Sequence, residues 1–245
     1  MASHERTNPC KAQLCEAPRG CEVAASGLAR IVGMRPRVLW DSPDHPRATI
    51  VLAHGAGAAM DSKWMNDVTA LLVDRGIRVA RFEFAYMASR RDGLRKPPPR
   101  GDSLVGEYRD AVAEIVRVAG TAVTIGGKSM GGRVASLVAD ELFSRGAVRS
   151  LVCLGYPFHP PGKPEKVRTA HLADLHTPTL ICQGTRDIFG GPDDVARYTL
   201  SPAITVRWFD DGDHGLKPRK GGGSGLTERD HLAAAADAIA AFVTD

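Results

Sequence analysis

The sequence has little of what marks several large classes of protein. Aromatic residues make up only 6% of the 245 residues and the net charge is only +4, whereas a nucleic-acid-binding surface gathers basic and aromatic side chains on one face. No apolar run is long enough to span a bilayer, and residues 1–6 lack the apolar core of a signal peptide. We therefore expect a cytoplasmic protein that binds neither nucleic acid nor membrane.

Cysteine is also scarce. The five cysteines are an odd number without the spacing of a disulfide framework, which is typical of a reducing compartment. Cys153 and Cys182 lie in apolar, strand-like runs, where a free thiol packs as a small core residue. Cys10, Cys15 and Cys21 could be metal ligands, but their spacing matches no zinc pattern and no fourth ligand stands nearby. We expect no metal site.

Hydrophobic residues make up 43% of the chain, which is enough for one large core. Residues 1–34 show no clear periodicity and are predicted to be a poorly ordered N-terminal extension. From residue 35 to 245, strand and helix signals alternate, as in a mainly parallel, doubly wound sheet covered by helices on both faces, a three-layer αβα sandwich. Two segments break the alternation, 85–102 and 156–176. Neither is long enough for a large lid domain.

The run Gly127-Lys128-Ser129-Met130-Gly131 carries the strongest chemical signal. This G-x-S-x-G pattern follows an apolar strand-like run, Val123–Ile125, and precedes a helix-forming stretch, which is the context of a nucleophile elbow. The same run ends like a phosphate-binding P-loop, but Ala122 stands where that motif has its first glycine. Ser129 is therefore the candidate nucleophile.

A serine nucleophile needs a histidine base and a carboxylate that orients it. Asp187 comes just after the predicted strand 179–183, and His214 comes just after the predicted strand 204–209. Taken singly, such an aspartate is usually a turn former and such a histidine a solvated loop residue. Together, the order Ser, Asp, His with each residue beyond a strand end predicts the triad Ser129, Asp187 and His214.

The mechanism also needs two backbone N–H groups that stabilise the oxyanion. One is expected from Met130, the residue after the nucleophile. The other is expected from the loop that follows the strand 49–53, with the Ala56 N–H as our choice and the Gly55 N–H as the alternative. His54, which begins this loop, is expected to brace it rather than to transfer protons.

These motifs resemble those of the α/β-hydrolase superfamily, and within it those of the dienelactone-hydrolase-like group. The resemblance is closest to a small branch whose domain also occurs in a testis-expressed protein and in a subunit of a nuclear histone-acetyltransferase complex. The stretches that carry it are 53–62, 78–100, 126–133, 183–190 and 211–220. A dienelactone hydrolase proper would have a cysteine nucleophile where this chain has Ser129, so its substrate does not carry over.

We therefore expect a serine hydrolase that cleaves a small ester, thioester or lactone through an acyl-enzyme and requires no cofactor. The alternative is an α/β-hydrolase-like interaction module whose triad is idle. Basic side chains near the site either solvate loops or form an electropositive rim that attracts an anionic acyl substrate. The predicted substrate-binding residues are Lys128, Tyr86, Arg90, Arg91 and Lys217. The sequence does not reveal the oligomeric state.

Overall fold

Seven strands form one sheet in the order β1-β3-β2-β4-β5-β6-β7, in a computed structural model that describes residues 36–94, 96–221 and 225–244. Strand β1 is antiparallel to β3 at one edge, and every other neighbouring pair is parallel. The strands are β1 (Val38–Asp41), β2 (Ala48–Ala53), β3 (Ile77–Phe82), β4 (Val123–Lys128), β5 (Val148–Leu154), β6 (Thr179–Gly184) and β7 (Ile204–Phe209).

Helices cover both faces of this sheet. They are α1 (Lys63–Val73), α2 (Ala85–Arg91), α3 (Val105–Ala119), α4 (Met130–Ser144), α5 (Pro192–Val195) and α6 (Glu228–Thr244). Apolar residues of α3 and α4 share one core cluster, whereas those of α1 and α6 share the other. The predicted α/β-hydrolase fold, with three αβα layers, is confirmed.

The two core clusters follow from the two-residue period of the strands. In β2, Ile50 and Leu52 pack into the cluster under α1 and α6, whereas Val51 and Ala53 pack into the cluster under α3 and α4. Because successive side chains of a strand point to opposite faces, a strand buried on both faces must be apolar at almost every position. This is why the central strands appear in the sequence as continuous apolar runs.

Two regions bear on the expectations from the sequence. The sequence predicts an irregular segment 85–102, but its first seven residues form α2, in which the side chains of Tyr86 and Met87 are buried. Burial of these two side chains in the core favours the helix, and alanine, methionine and arginine are good helix formers. The predicted N-terminal extension, residues 1–34, lies outside the described residues. Among the described helices, none combines the length and apolar character that a membrane span requires.

Tyr108 on α3 ties the strand that leads to the candidate nucleophile to the helix layer. Its hydroxyl group, fully buried, donates to the Gly126 carbonyl at 2.8 Å and accepts from the Gly126 N–H at 3.0 Å. One side chain thus contacts both backbone groups of Gly126. Burial raises the pKa of this phenol far above its ordinary value, so the hydroxyl keeps its proton.

We predict that Tyr108→Phe lowers the free energy of unfolding by about 1–3 kcal/mol, because it removes two buried hydrogen bonds to the Gly126 backbone. Urea unfolding followed by circular dichroism measures the change. Tyr198→Phe is the matched control, since the Tyr198 hydroxyl contacts only the Pro164 carbonyl at 3.3 Å near the surface. Equal effects of the two substitutions would contradict the assigned role of Tyr108.

Candidate active site

Ser129 stands in the sharp turn between β4 and α4, with a backbone φ of 51° and ψ of −115°. A residue other than glycine is rarely found at positive φ, and such a conformation costs on the order of 1–3 kcal/mol. The turn closes because Gly127 and Gly131 have no side chains. A Cβ atom on Gly127 would meet the Ala53 carbonyl oxygen at 2.5 Å, and one on Gly131 would come as close to the same oxygen. The predicted elbow conformation is present.

The structure brings Ser129, His214 and Asp187 into one hydrogen-bonded chain. The Nε2 atom of His214 lies 2.8 Å from the Ser129 Oγ, and its Nδ1 atom lies 2.8 Å from the Asp187 Oδ2. Because a carboxylate only accepts hydrogen bonds, Nδ1 carries the proton and Nε2 is free to accept from the serine hydroxyl. This is the tautomer that a histidine base needs.

Asp187 is held by groups on both of its oxygens. The Gln183 Nε2 donates to Oδ2 at 2.8 Å, and the Phe189 N–H donates to Oδ1 at 2.9 Å. Gln183, at the end of β6, is itself fixed because its Oε1 accepts from the Tyr156 N–H at 2.7 Å. The side chain of Asp187 is fully buried, so these bonds determine its orientation.

Two side chains, Lys128 and Trp64, hold the loop that carries His214. Lys128 donates from its Nζ to the His214 carbonyl, and it lies over the Trp64 ring, 5.1 Å from the centroid. The Trp64 indole N–H donates to the Gly215 carbonyl at 3.0 Å. On the loop itself, the Asp213 Oδ1 accepts from the Gly215 N–H at 2.8 Å. The backbone on either side of the imidazole is therefore fixed.

His54 braces the loop after β2, as expected. Its Nε2 accepts from the Phe84 N–H at 3.2 Å, so its Nδ1 must be the donor to the Gly55 carbonyl at 2.7 Å. Burial lowers the pKa of His54, which keeps the ring neutral. The Tyr86 hydroxyl donates to the next carbonyl, that of Ala56, at 3.1 Å.

These bonds orient the candidate oxyanion donors. In a trans peptide the C=O and N–H groups point in opposite directions, so the Ala56 N–H points away from His54. Within the described residues, neither the Ala56 N–H nor the Met130 N–H has a hydrogen-bond partner. Both residues line the same cleft as Ser129. Ala56 is among the residues that line the cleft and Gly55 is not, which favours Ala56 over Gly55 as the second donor.

The environment of His214 favours its neutral form. Burial lowers the pKa of His214, the hydrogen bond to Asp187 opposes this effect, and the positive charge of Lys128 lowers the pKa further. The net pKa lies below the ordinary value of histidine. The imidazole therefore stays able to accept a proton at pH values where a solvated histidine is already charged.

The cleft above Ser129 has a volume of about 560 Å³. It is lined by segment 98–102, by the first turn of α4 and by residues of the loop 157–171. Its lining residues include Ala56, Pro98, Pro99, Arg100, Gly101, Asp102, Ser129, Met130, Arg133, Pro157, Val167, Arg168, Ala170, His171 and Phe189. In the described part of the chain, no group of three or more metal-binding side chains is close enough to hold an ion.

The predicted substrate-binding residues on α2 do not line this cleft. Arg91 forms ion pairs with Glu83 and Asp61 at 2.7 and 2.8 Å. Arg90 donates to the Lys96 carbonyl and lies over the ring of Tyr86, whose own hydroxyl serves the loop after β2. These three side chains therefore contact other residues of the protein and do not face the cleft.

The other two predicted substrate-binding residues lie on the far side of the imidazole. Lys128 is directed to the backbone of the histidine loop, as described above, rather than to the cleft. Lys217 lines a shallower depression beside His214, where its Nζ lies 3.8 Å from a carboxylate oxygen of Glu228. Of the two, only Lys217 is placed where a bound molecule near His214 would meet it.

A second serine–histidine contact lies deeper in the same region. The Ser136 Oγ is 2.8 Å from the His171 Nε2, but it also contacts the Arg133 carbonyl at 2.7 Å. Burial lowers the pKa of His171 to about 4, and the charge of Arg133 adds to this effect. No carboxylate is bonded to the His171 ring within the described residues. This pair lacks the third member that the Ser129 chain has.

Several residues of the site were missed in the sequence. In the sequence, Gln183 is the polar residue at the end of an apolar strand, and Trp64 is one apolar residue of an amphipathic helix. Arg133 lies one turn after the elbow, and no sequence pattern marks it as part of the site. Gln183 could have been found, since a polar residue at the end of a buried strand just before Asp187 needs a hydrogen-bond partner there.

The comparison with protein families agrees with this architecture. Residues 46–244 match the model of an alpha/beta hydrolase domain, and the protein belongs to that family. Solved structures with the same fold include a serine hydrolase without a lid from Xanthomonas campestris, at 22% sequence identity and a TM-score of 0.59. The match covers 84% of this chain and 87% of that one.

Two further structures are similar at lower identity. A dienelactone hydrolase from Anabaena variabilis is 18% identical, with a TM-score of 0.62 over 85% of this chain and 97% of its own. The protein Est1E from Butyrivibrio proteoclasticus, solved with ferulic acid bound, is 16% identical, with a TM-score of 0.58 over 84% of this chain and 93% of its own. At these identities the likeness shows the shared fold.

We predict that Lys128→Met raises the pKa of His214, because it removes a nearby positive charge. A histidine NMR titration of the purified protein measures the pKa. Lys166→Met, which removes a charge from an exposed loop position, is the control and should leave the His214 titration unchanged. A pKa that stays constant or falls in Lys128→Met would show that this lysine does not act on the imidazole.

Proposed function

We propose that the protein is a serine hydrolase that cleaves a small ester, thioester or lactone through an acyl-enzyme. One observation carries the proposal, namely that His214 bonds at the same time to the Ser129 hydroxyl and to a buried carboxylate, Asp187. A solvated loop histidine would not need both contacts. Its lowered pKa also supports the role of a base.

In the first half of the proposed reaction, the neutral Nε2 of His214 takes the proton of the Ser129 hydroxyl as the Oγ attacks the substrate carbonyl carbon. Negative charge develops on the carbonyl oxygen and is stabilised by the N–H groups of Met130 and Ala56. Asp187 stabilises the imidazolium that forms and keeps its orientation. His214 then gives the proton to the leaving group, and the acyl group stays on Ser129.

In the second half, a water molecule takes the place of the leaving group. His214 accepts a proton from this water as its oxygen attacks the acyl carbon, and the same two N–H groups again stabilise the oxyanion. Collapse of the intermediate breaks the bond to the Ser129 Oγ, which takes back the proton from His214. The products are the free acid and the regenerated hydroxyl. Every group in this cycle belongs to the chain, the substrate or water.

The structural neighbours support the proposed class of reaction, but they do not identify the substrate. Structural neighbours include a monoacylglycerol lipase from Paleococcus ferrophilus and the dienelactone hydrolase, which act on esters or lactones as their names state. The cleft of about 560 Å³ suits a small molecule. The narrower placement, in the branch shared with a testis-expressed protein and a histone-acetyltransferase subunit, stays part of this proposal.

Two alternatives remain open to experiment. In one, the fold serves as an interaction module and the Ser129 site is idle. In the other, the contact between Ser136 and His171 marks the reactive centre. The second is less favourable, because the Ser136 side chain is buried and its hydroxyl already contacts a backbone carbonyl.

We predict that a fluorophosphonate probe labels the protein on Ser129 and that Ser129→Ala abolishes both labelling and the hydrolysis of p-nitrophenyl esters. Loss of a triad serine commonly lowers turnover by a factor of about 10⁶. Peptide mass spectrometry locates the label, and thermal unfolding checks that the variant is folded.

Two matched variants make this experiment decisive. The Ser136→Ala variant should still be labelled by the probe. If instead Ser136→Ala were not labelled and Ser129→Ala were fully labelled, the reactive serine would be Ser136. Ser144→Ala, an exposed serine near the end of α4, controls for the substitution itself. A wild-type protein that neither reacts with the probe nor hydrolyses any ester would favour the interaction module.

A further inference from the structure

Three arginines share the cleft with Ser129, namely Arg100, Arg133 and Arg168. Among the described residues, one carboxylate, that of Asp102, lines it with them. His171 also lines it, but its lowered pKa of about 4 keeps it uncharged near neutral pH. The cleft therefore presents a clear excess of positive charge on the same surface as the candidate nucleophile.

Arg133 stands one turn into α4, directly after the elbow. Its Nη2 donates to the Asp102 Oδ1 at 2.9 Å, and its side chain is 17% exposed. Its Nε is buried and has no hydrogen-bond partner within the described residues. Asp102, by contrast, is 56% exposed. The ion pair of Arg133 is thus with one largely solvated carboxylate. The unpartnered Nε of Arg133 does not distinguish it, since the Nε atoms of Arg81 and Arg90 are buried in the same way.

Arg168 has no ion pair among the described residues. Its backbone is fixed, since the Arg168 N–H donates to the Phe158 carbonyl at 2.7 Å. Burial lowers the pKa of Arg168, the positive charge of Arg133 lowers it further, and the negative charge of Asp102 opposes this effect. Both arginines line the same cleft and are partly withdrawn from water. One carboxylate, that of Asp102, thus acts on two guanidinium charges, and a second anion in the cleft would compensate them more fully.

Two other partly buried arginines of the protein form ion pairs. Arg81 is paired with Asp41 at 2.8 Å, and Arg91 is paired with the buried carboxylate of Glu83 at 2.7 Å. These arginines have structural partners that compensate their desolvation. Arg168 departs from this pattern, and it does so in the cleft where a substrate would bind.

We propose that Arg133 and Arg168 form a subsite for a carboxylate group of the substrate, so that the protein prefers esters carrying a negative charge at one end. This proposal rests on the proposed function and names its substrate class. Planar guanidinium groups suit a carboxylate, because both can form paired hydrogen bonds. Bound carboxylate would relieve the repulsion between the two arginines and give Arg168 an anionic partner.

The position of Arg133 guides the choice of the first probe. Arg133 lies four positions after Ser129, in the first turns of α4, and its side chain lines the same cleft. If the charge sits on the acyl side, a short spacer of about three carbons keeps the carboxylate within this cleft while the reacting carbonyl is at Ser129. A glutaric acid monoester has this spacer, and it is therefore the first probe.

The test compares esters that differ only in charge. On the acyl side the pair is p-nitrophenyl hydrogen glutarate and its neutral methyl ester. On the alcohol side the pair is 4-acetoxybenzoate and its methyl ester. We expect wild-type kcat/KM to favour the charged member of at least one pair, with a preference that weakens as salt is added. Arg168→Met should lower the charged-to-neutral ratio by about tenfold or more, because charge-assisted hydrogen bonds are lost.

Two further variants serve as controls for this experiment. Arg168→Lys keeps the charge but not the paired geometry, so its ratio should fall between those of wild type and Arg168→Met. Arg149→Met removes an exposed arginine from β5 and should leave the ratio unchanged. A ratio that is the same in wild type and in Arg168→Met, or a wild-type preference for the neutral esters in both pairs, would overturn the proposal.

A binding measurement separates this inference from the proposed function. Calorimetry with Ser129→Ala, which cannot form an acyl-enzyme, should detect monomethyl glutarate but not dimethyl glutarate, and Ser129→Ala/Arg168→Met should lose this binding. Arg168-dependent binding without any ester hydrolysis would refute the proposed reaction and leave the anion subsite standing. Hydrolysis of neutral esters without binding of monomethyl glutarate would refute the subsite alone.

Discussion

The arrangement depends on the backbone of one residue, Ser129, which is held at a positive φ between β4 and α4. The conformation is strained for a serine, and it persists because Gly127 and Gly131 allow the turn to close against the Ala53 carbonyl. The same closure brings the end of β2 beside the start of α4. The candidate nucleophile and both candidate oxyanion donors, Ala56 and Met130, thus take their positions from one tight contact between neighbouring parallel strands.

Around this turn, buried polar groups fix the orientation of the side chains and loops that form the candidate site. Gln183 orients Asp187, while Lys128 and Trp64 hold the backbone of the histidine loop. Each of these contacts satisfies a group that would be costly to bury alone. Their common effect is that the imidazole of His214 has a fixed tautomer and a lowered pKa. The cleft arginines differ, since their donors are only partly used within the described residues.

The sequence predicted what is local and periodic. Strand runs, the elbow glycines and the loops after strand ends each carry their own signal, so the fold and the meeting of Ser129, Asp187 and His214 could be expected from the residues alone. The roles of Lys128 and Arg168 could not. Whether Lys128 points to the cleft or to the histidine loop depends on how a distant loop packs beneath it. The course of segment 156–176, which brings Arg168 to the cleft, is set by tertiary contacts and not by a periodic pattern.

The most direct test of this account is a crystal structure of the protein with a phosphonate ester bonded to the Ser129 Oγ, since the phosphonate mimics the tetrahedral intermediate. The account predicts that one phosphoryl oxygen lies about 2.7–3.1 Å from both the Ala56 and the Met130 nitrogen atoms. It also predicts that His214 keeps its hydrogen bond to Asp187. An adduct on another residue, or a phosphoryl oxygen turned away from both N–H groups, would contradict the account.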